Sequence, residues 1–250
     1  MPYFYYQSKK IFYKETGGGN PLIMLHGDTA SSLMFEFILP LYQGNYRVIL
    51  LDFLGNGQSD RVDRFPENLW TAEAEQVIAL IEYLKIEKVN LLGTSGGAWV
   101  AVNTALKRPD LIDKVIADSF DGRTLNEDFT VNLLKERETA KQDIYARQFY
   151  EWCQGEDWER VVDLNTQALI ECAVNRSPLF CKPLETLHMP VLFMGSLEDD
   201  MCRKNLPEEY AEMSRQVQQG RVHIFKTGGH PSVITNAELS AKVITEFIGI

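Results

Sequence analysis

The sequence predicts an α/β protein: a mostly parallel, twisted β-sheet flanked by helices, with a helical insertion in its second half. Three observations carry this. Short apolar runs recur along the chain, among them Leu22-Ile23-Met24-Leu25, Arg47-Val48-Ile49-Leu50-Leu51 and Lys88-Val89-Asn90-Leu91-Leu92. They are continuous rather than alternating, the pattern of strands covered on both faces. Helix-like segments separate them, as crossover connections between parallel strands require. From about Gly122 to Leu187 the alternation of strand and helix stops.

Taken in order, Tyr3 to Tyr13 alternates polar and aromatic residues and predicts a two-stranded start, closed by the turn Gly17-Gly18-Gly19-Asn20. The strand Leu22–Leu25 runs into His26-Gly27-Asp28. A helix is expected from Ser31 to about Tyr42, then a strand from Arg47 to Asp52. The loop Asp52 to Asp60 holds Gly55 and Gly57 but lacks the third glycine of a dinucleotide-binding loop and does not run directly into a helix, so it reads as a tight connection. Thr71 to Leu84 places Ala74, Val77, Ile78, Ile81 and Leu84 at the spacing of an amphipathic helix. The Lys88 strand follows, then Gly93-Thr94-Ser95-Gly96-Gly97, then a helix from Ala98 that ends at Arg108-Pro109. Ile112 to Ala117 gives a further strand, ending near Asp118-Ser119.

The insertion is expected to be all helical. Thr124-x-x-Glu127 has the form of a capping box, Gly155 breaks two helices, and Trp158, Val161, Val162, Ala168, Leu169 and Cys172 recur near helical spacing. The sheet resumes at Pro190–Gly195 and opens into the acidic loop Ser196-Leu197-Glu198-Asp199-Asp200. A helix over 207–219, a strand over 221–226, the loop Thr227-Gly228-Gly229-His230-Pro231 and a helix over 237–248 complete the chain. The organisation read from this is a core of residues 1–121 and 188–250 with an insertion over 122–187.

Composition limits the partner. The 250 residues carry a formal net charge of -10, which repels nucleic acid and anionic membrane surfaces alike. A small, neutral or apolar molecule is the expected partner. Neither a signal peptide nor a membrane span is readable, and a cytoplasmic location is the expectation. Cys153, Cys172, Cys181 and Cys202 lack the spacings of a zinc or redox motif and read as free thiols, and the four histidines form no helical His-x-x-x-His pair, so no metal site is expected.

The chemistry centres on Ser95. Gly-x-Ser-x-Gly arises by chance roughly once in twenty chains of this length, but here an apolar strand precedes it and a helix follows. Glycines on both sides let the backbone turn sharply, so the hydroxyl projects from the sheet at a helix N-terminus, where negative charge is favoured. Parallel sheets bind ligands at the carboxyl ends of their strands. Ser95, the acidic loop after Gly195 and His230 all follow strands at that edge, so a nucleophile, an acid and a base converge in the order serine, acid, histidine. His230 can take the serine's proton and return it to the leaving group, and a carboxylate behind the imidazole fixes its tautomer.

These residues resemble the α/β-hydrolase family over nearly the whole chain: His26-Gly27, the Asp52 to Asp60 turn, the Gly93 to Gly97 elbow, the acid after Pro190–Gly195, and Gly228-Gly229-His230-Pro231. The resemblance implies a helical cap between the sixth strand and the acid-bearing strand. It further implies Ser95 as nucleophile, Asp199 and His230 as the rest of a catalytic triad, and the backbone N–H groups of Asp28 and Gly96 as an oxyanion hole. Glu198 stands at the family's usual spacing after the glycine, and Asp200 follows; Asp199 is preferred to either. Asp28 places a carboxylate beside the oxyanion hole, so its side chain is expected to face away or to be hydrogen-bonded. Trp99 and the insertion's Phe149 and Trp152 are the expected pocket aromatics.

The function expected is that of a serine hydrolase acting on a small, largely apolar carboxylic ester or related acyl compound, with no cofactor. Carbon–carbon bond hydrolysis, lactone or amide hydrolysis and cofactor-free peroxidation use the same triad. An aspartate nucleophile is disfavoured because the elbow holds serine. A ligand-binding receptor on the same scaffold is the non-enzymatic alternative.

Overall fold

The apolar runs assemble into one eight-stranded sheet in the computed structural model, which describes residues 2–249. In chain order the strands are β1 (Tyr3–Tyr6), β2 (Lys9–Gly17), β3 (Asn20–Leu25), β4 (Tyr46–Leu51), β5 (Val89–Thr94), β6 (Ile112–Asp118), β7 (Val191–Ser196) and β8 (Gly220–Phe225). They lie in the order β1-β2-β4-β3-β5-β6-β7-β8. β1 pairs antiparallel with β2 and β2 antiparallel with β4; every pairing from β4 to β8 is parallel. All six residues of β5, which leads into Ser95, are buried.

Alternate strand residues feed two cores. On one face Ile23, Leu25, Ile49, Leu51 and Leu91 meet helices α1 (Leu69–Tyr83) and α2 (Gly96–Lys107). On the other, Leu22, Met24, Val48, Leu50 and Leu92 meet Phe35, Tyr42, Ile244 and Phe247. Burying each such side chain contributes roughly 1.5–3 kcal/mol, so the runs that look redundant in sequence serve opposite faces.

Between β6 and β7 the chain forms α3 (Phe129–Gln142), α4 (Ile144–Gln154) and α5 (Trp158–Asn175). These three helices form the insertion between the two strands. Gly155, at φ 84°, ends α4, and Asp143 caps its start by accepting from the N–H groups of Tyr145 and Ala146. After β7 come α6 (Leu206–Gln216), the short α7 (Ser232–Thr235) and α8 (Ala237–Ile248). Among the described residues no helix is long and apolar enough to cross a membrane.

Two local expectations are corrected. Ser31 to Tyr42 is not an α-helix but two 3-10 turns, Ser32–Phe35 and Leu39–Leu41. Pro40 removes one donor and would clash with the carbonyl four residues back, while the Ser32 N–H is taken by Asp52 Oδ1 at 2.7 Å. The Thr124–Glu127 capping box does not form either. α3 begins five residues beyond Thr124, whose hydroxyl accepts from Arg203 Nη2 at 3.0 Å.

Candidate active site

The turn after β5 is tight because three glycines allow it. A Cβ on Gly93 would stand 1.9 Å from the Gly97 carbonyl oxygen, and one on Gly97 would stand 2.3 Å from that of Leu25. Between them Ser95 adopts φ 54° and ψ -127°, a conformation that costs a non-glycine residue about 1–3 kcal/mol and persists only where the surroundings enforce it. The end of β3 runs alongside: a Cβ on Gly27 would lie 3.3 Å from Ser95 Oγ. The backbone of His26-Gly27-Asp28 therefore borders the hydroxyl. Buried His26 holds that loop, accepting from Phe53 N at 3.1 Å through Nε2, and burial pushes its pKa down, which keeps the ring neutral.

Of the three acids after β7, Asp199 is buried while Glu198 and Asp200 are exposed. His230 Nδ1 lies 2.9 Å from Asp199 Oδ2 and 3.1 Å from Oδ1. Asp199 also accepts from Met201 N at 3.1 Å and from the Cys202 thiol at 3.5 Å. Glu198 instead accepts from Gly228 N at 3.1 Å. Burial alone would raise the Asp199 pKa and lower that of His230. The hydrogen bond and opposite charge between them outweigh it, holding Asp199 below and His230 above their ordinary values. Asp199, Cys202 and His230 group three potential metal ligands, but burial and the nearby Asp199 hold the Cys202 thiol well above its usual pKa. A protonated thiol donating to a carboxylate is a hydrogen-bond partner and a poor ligand.

A buried residue not foreseen from the sequence ties the loops together. Asp118, at the end of β6, accepts from Thr94 Oγ1 at 2.8 Å, from Val233 N at 3.1 Å and from the Ser232 hydroxyl. Ser119 Oγ accepts from Ser232 N at 2.8 Å. The residue before Ser95 and the residues after His230 are thus fixed to the same strand end. Among the described residues Ser95 Oγ makes no hydrogen bond. Both Ser95 and His230 keep accessible surface.

Asp28 does not face away. Its Oδ2 lies 2.4 Å from where a Gly96 Cβ would stand, so the carboxylate rests against the start of α2. It is hydrogen-bonded there: Trp70 Nε1 donates to both oxygens at 3.3 Å, and Asn165 Nδ2 of α5 donates to Oδ1 at 3.3 Å. Burial raises its pKa, opposed by the charge of Arg137 on α3. Glu73 of α1 is buried nearby, and that burial, with the charge of Asp28, pushes its carboxyl well above the usual carboxylate range. Trp70 stacks on Trp99 with ring centroids 4.1 Å apart, so Trp99 backs the residue that holds Asp28. Phe149 and Trp152, each 38 % exposed, contact one another, and their other aromatic neighbours are Tyr150 and Phe37. Among the described residues no aromatic pairing links them to Trp99. His223 packs on Phe225 within β8, and His188 precedes β7, at the opposite end of the strand from Asp199.

Asp118 could have been suspected as a polar residue ending an apolar strand. Arg137 and Asn165 carried no signal, because a cation on a polar helix reads as solvated.

The edge assembled here, a strained serine at a helix start, a carboxylate–imidazole pair and flanking backbone N–H groups, can support nucleophilic acyl chemistry. A family model for the alpha/beta hydrolase fold matches residues 20–154, more than half of the chain. The chain is 30 % identical over 110 residues to the uncharacterized hydrolase YugF of Bacillus subtilis (strain 168), covering 42 % of this chain and 39 % of that protein. It is 36 % identical over 110 residues to the 2-hydroxy-6-oxo-6-phenylhexa-2,4-dienoate hydrolase of Comamonas testosteroni, covering 42 % and 38 %. The matched segments thus span about two fifths of these relatives' own length. Among solved structures, an esterase from Exiguobacterium antarcticum superposes with a TM-score of 0.75 at 22 % identity, over 97 % of this chain and 96 % of that one. With its eight-stranded sheet and the tight turn at Ser95, the chain belongs to the α/β-hydrolase fold family.

Proposed function

We propose that the protein is a serine hydrolase that cleaves a small carboxylic ester, or a closely related acyl compound, through an acyl-Ser95 intermediate. His230 takes the Ser95 proton as the hydroxyl attacks the carbonyl carbon, then gives it to the departing alkoxide. Water, activated by the same imidazole, releases the acid and restores Ser95. Asp199 holds the imidazole in the tautomer with Nδ1–H and stabilises the imidazolium. The N–H groups of Asp28 and Gly96 receive the developing oxyanion, each donor contributing about 3–4 kcal/mol. In this scheme residues 122–187 act as the cap, and Trp99, Phe149 and Trp152 remain the proposed aromatic wall. No cofactor enters. The four free cysteines suit a reducing compartment and support a cytoplasmic site of action.

The observation that carries the proposal is the bond from His230 to Asp199 at 2.9 Å, on the strand edge where Ser95 adopts its strained turn. A fluorophosphonate probe tests it. Wild type should be labelled stoichiometrically and Ser95→Ala not at all, and Asp199→Asn should lose turnover of a short chromogenic ester while Asp200→Asn and Glu198→Gln retain it. A folded wild type that resists labelling would favour a binding protein, and loss of turnover in Asp200→Asn alone would reassign the acid.

A further inference from the structure

Helix α3 is polar along most of its length, and only Leu133 and Arg137 are buried on it. Four residues apart, they share one face. Leu133 packs into the core that holds Trp70, Trp99 and Leu169; Arg137, one turn on, is 8 % exposed. Arginine is almost never buried to that extent unless it is paired.

The pairing in place uses one side of the guanidinium. Nη1 donates to Tyr150 Oη at 2.8 Å and to Glu136 Oε1 at 3.2 Å. Nε is buried and has no partner, and among the described residues no hydrogen bond uses Nη2. Nε–H and Nη2–H point the same way and form an edge that grips a carboxylate with two parallel bonds. A second orphan stands on α5, against which α3 packs: Asn165 is 2 % exposed, and its Oδ1 has no partner although Nδ2 reaches Asp28. Native interiors satisfy nearly all such atoms. Asp28 does not fill the arginine edge: its donors are Trp70 and Asn165, and among the described residues no hydrogen bond or ion pair joins it to Arg137.

The position of the free edge is set by its neighbours. α3, which carries Arg137, packs on α5, whose Asn165 donates to Asp28, and Asp28 rests against Gly96 next to Ser95; the Arg137 charge is felt at that carboxylate.

We propose that the Nε/Nη2 edge of Arg137 binds a carboxylate on the acyl half of the substrate, so that the compound cleaved at Ser95 is an ester of an acid bearing a second, ionised carboxylate. This rests on the hydrolase function proposed above and narrows it. The net charge of -10 is a property of the whole molecule, whereas a ligand beneath the cap meets the buried cation. The second carboxylate takes no part in bond exchange: the acyl carbon forms its bond to Ser95 Oγ as the alcohol leaves with the proton from His230, and water reverses the attachment.

Two esters of equal length test this: 4-nitrophenyl hydrogen glutarate, which ends in a carboxylate, and 4-nitrophenyl pentanoate, which ends in a methyl group. Wild type should prefer the glutarate by about tenfold or more in kcat/KM. Arg137→Met should abolish that preference by raising KM for the glutarate roughly thirtyfold, with less than about threefold change on the pentanoate. Arg137→Lys, which keeps the charge without the fork, should recover only a minor part of the preference. Fluorophosphonate labelling at the wild-type rate shows that each variant is folded. Equal losses on both esters would make Arg137 an internal counter-ion to Asp28 and overturn the proposal, as would a wild type indifferent to the carboxylate. Titration of Ser95→Ala with glutarate separates the two levels. Labelling of Ser95 without glutarate binding leaves the hydrolase standing and sinks the anion site, whereas binding that is lost on adding Arg137→Met upholds the anion site even in a protein that turns over neither ester.

Discussion

Gly97→Ala adds one methyl group where the elbow has no room for it. The new Cβ would stand 2.3 Å from the Leu25 carbonyl oxygen and 2.6 Å from that of His26. Both are backbone atoms at the end of β3 and cannot swing aside as a side chain would. Restoring an ordinary contact of 3.4 Å requires the first turn of α2 and the β3 loop to separate by about 1.1 Å, the difference between those two distances. That turn carries Ser95 and Gly96, and the loop carries Gly27 and Asp28. The two proposed oxyanion donors would move apart by nearly the same amount, whereas each must lie about 2.7–3.1 Å from the oxyanion to be effective. Losing one donor costs about 10²–10³ in kcat, and overpacking costs about 1–3 kcal/mol of stability, or roughly 2–4 °C in Tm for each kcal/mol in a chain of this size. Gly18→Ala is the control. Nothing lies within 4 Å of its added Cβ, and its φ is not positive, so kcat and Tm should stay at wild-type values. Ester hydrolysis and thermal melts on the three proteins decide the matter. A folded Gly97→Ala with wild-type kcat would show that the gap between elbow and β3 loop does not govern catalysis, and the oxyanion assignment would fall.

The strands were legible because burial on both faces favours short, largely apolar runs, and those at 22–25, 47–51 and 88–92 are rich in Val, Ile and Leu despite Arg47, Lys88 and Asn90. Ser95 and its glycines were legible for a related reason: a turn this tight admits few residues, so its sequence is constrained. The segment after His26 was not. Pro40 and the side chain of Asp52, twelve positions further on, decide against an α-helix there, and only the second of these is a tertiary effect. The capping box failed in the same manner, since Arg203, beyond β7, claims Thr124. Asp28 shows the harder limit. Its chemistry raised the right question, and one permitted answer was hydrogen bonding, yet the donors are Trp70 and Asn165, 42 and 137 residues distant. No local pattern encodes such a partnership. Arg137 is buried for want of solvent beneath α3, a consequence of how α3 packs on α5 rather than of any property of its own helix.

Two predictions concern pH. Because the bond to Asp199 and the negative charge of Asp199, Asp118 and Glu136 together outweigh burial and hold His230 above its ordinary pKa of 6.5, the acid limb of kcat/KM should lie above pH 6.5, with activity lost as the pH falls through it and the imidazole gains a proton. Asp199→Asn should move that limb downward and lower kcat by about 10⁴ through the wrong tautomer; an unmoved limb would show that another group titrates. The second concerns stability. Burial raises the Asp118 pKa from 3.8 to about 6, against the hydrogen bonds from Ser232, Thr94 and Val233. Between those two values the folded protein holds more protons than the unfolded chain, so this group's contribution is fully present below pH 3.8 and is lost as pH rises through about 6. Some two units at 1.36 kcal/mol each give about 3 kcal/mol. Denaturant unfolding between pH 4 and 7 should therefore show a falling component in wild type that Asp118→Asn lacks, because the amide cannot ionise. Identical pH slopes in the two proteins would mean that Asp118 is already charged at pH 4, with its three donors outweighing the cost of burial.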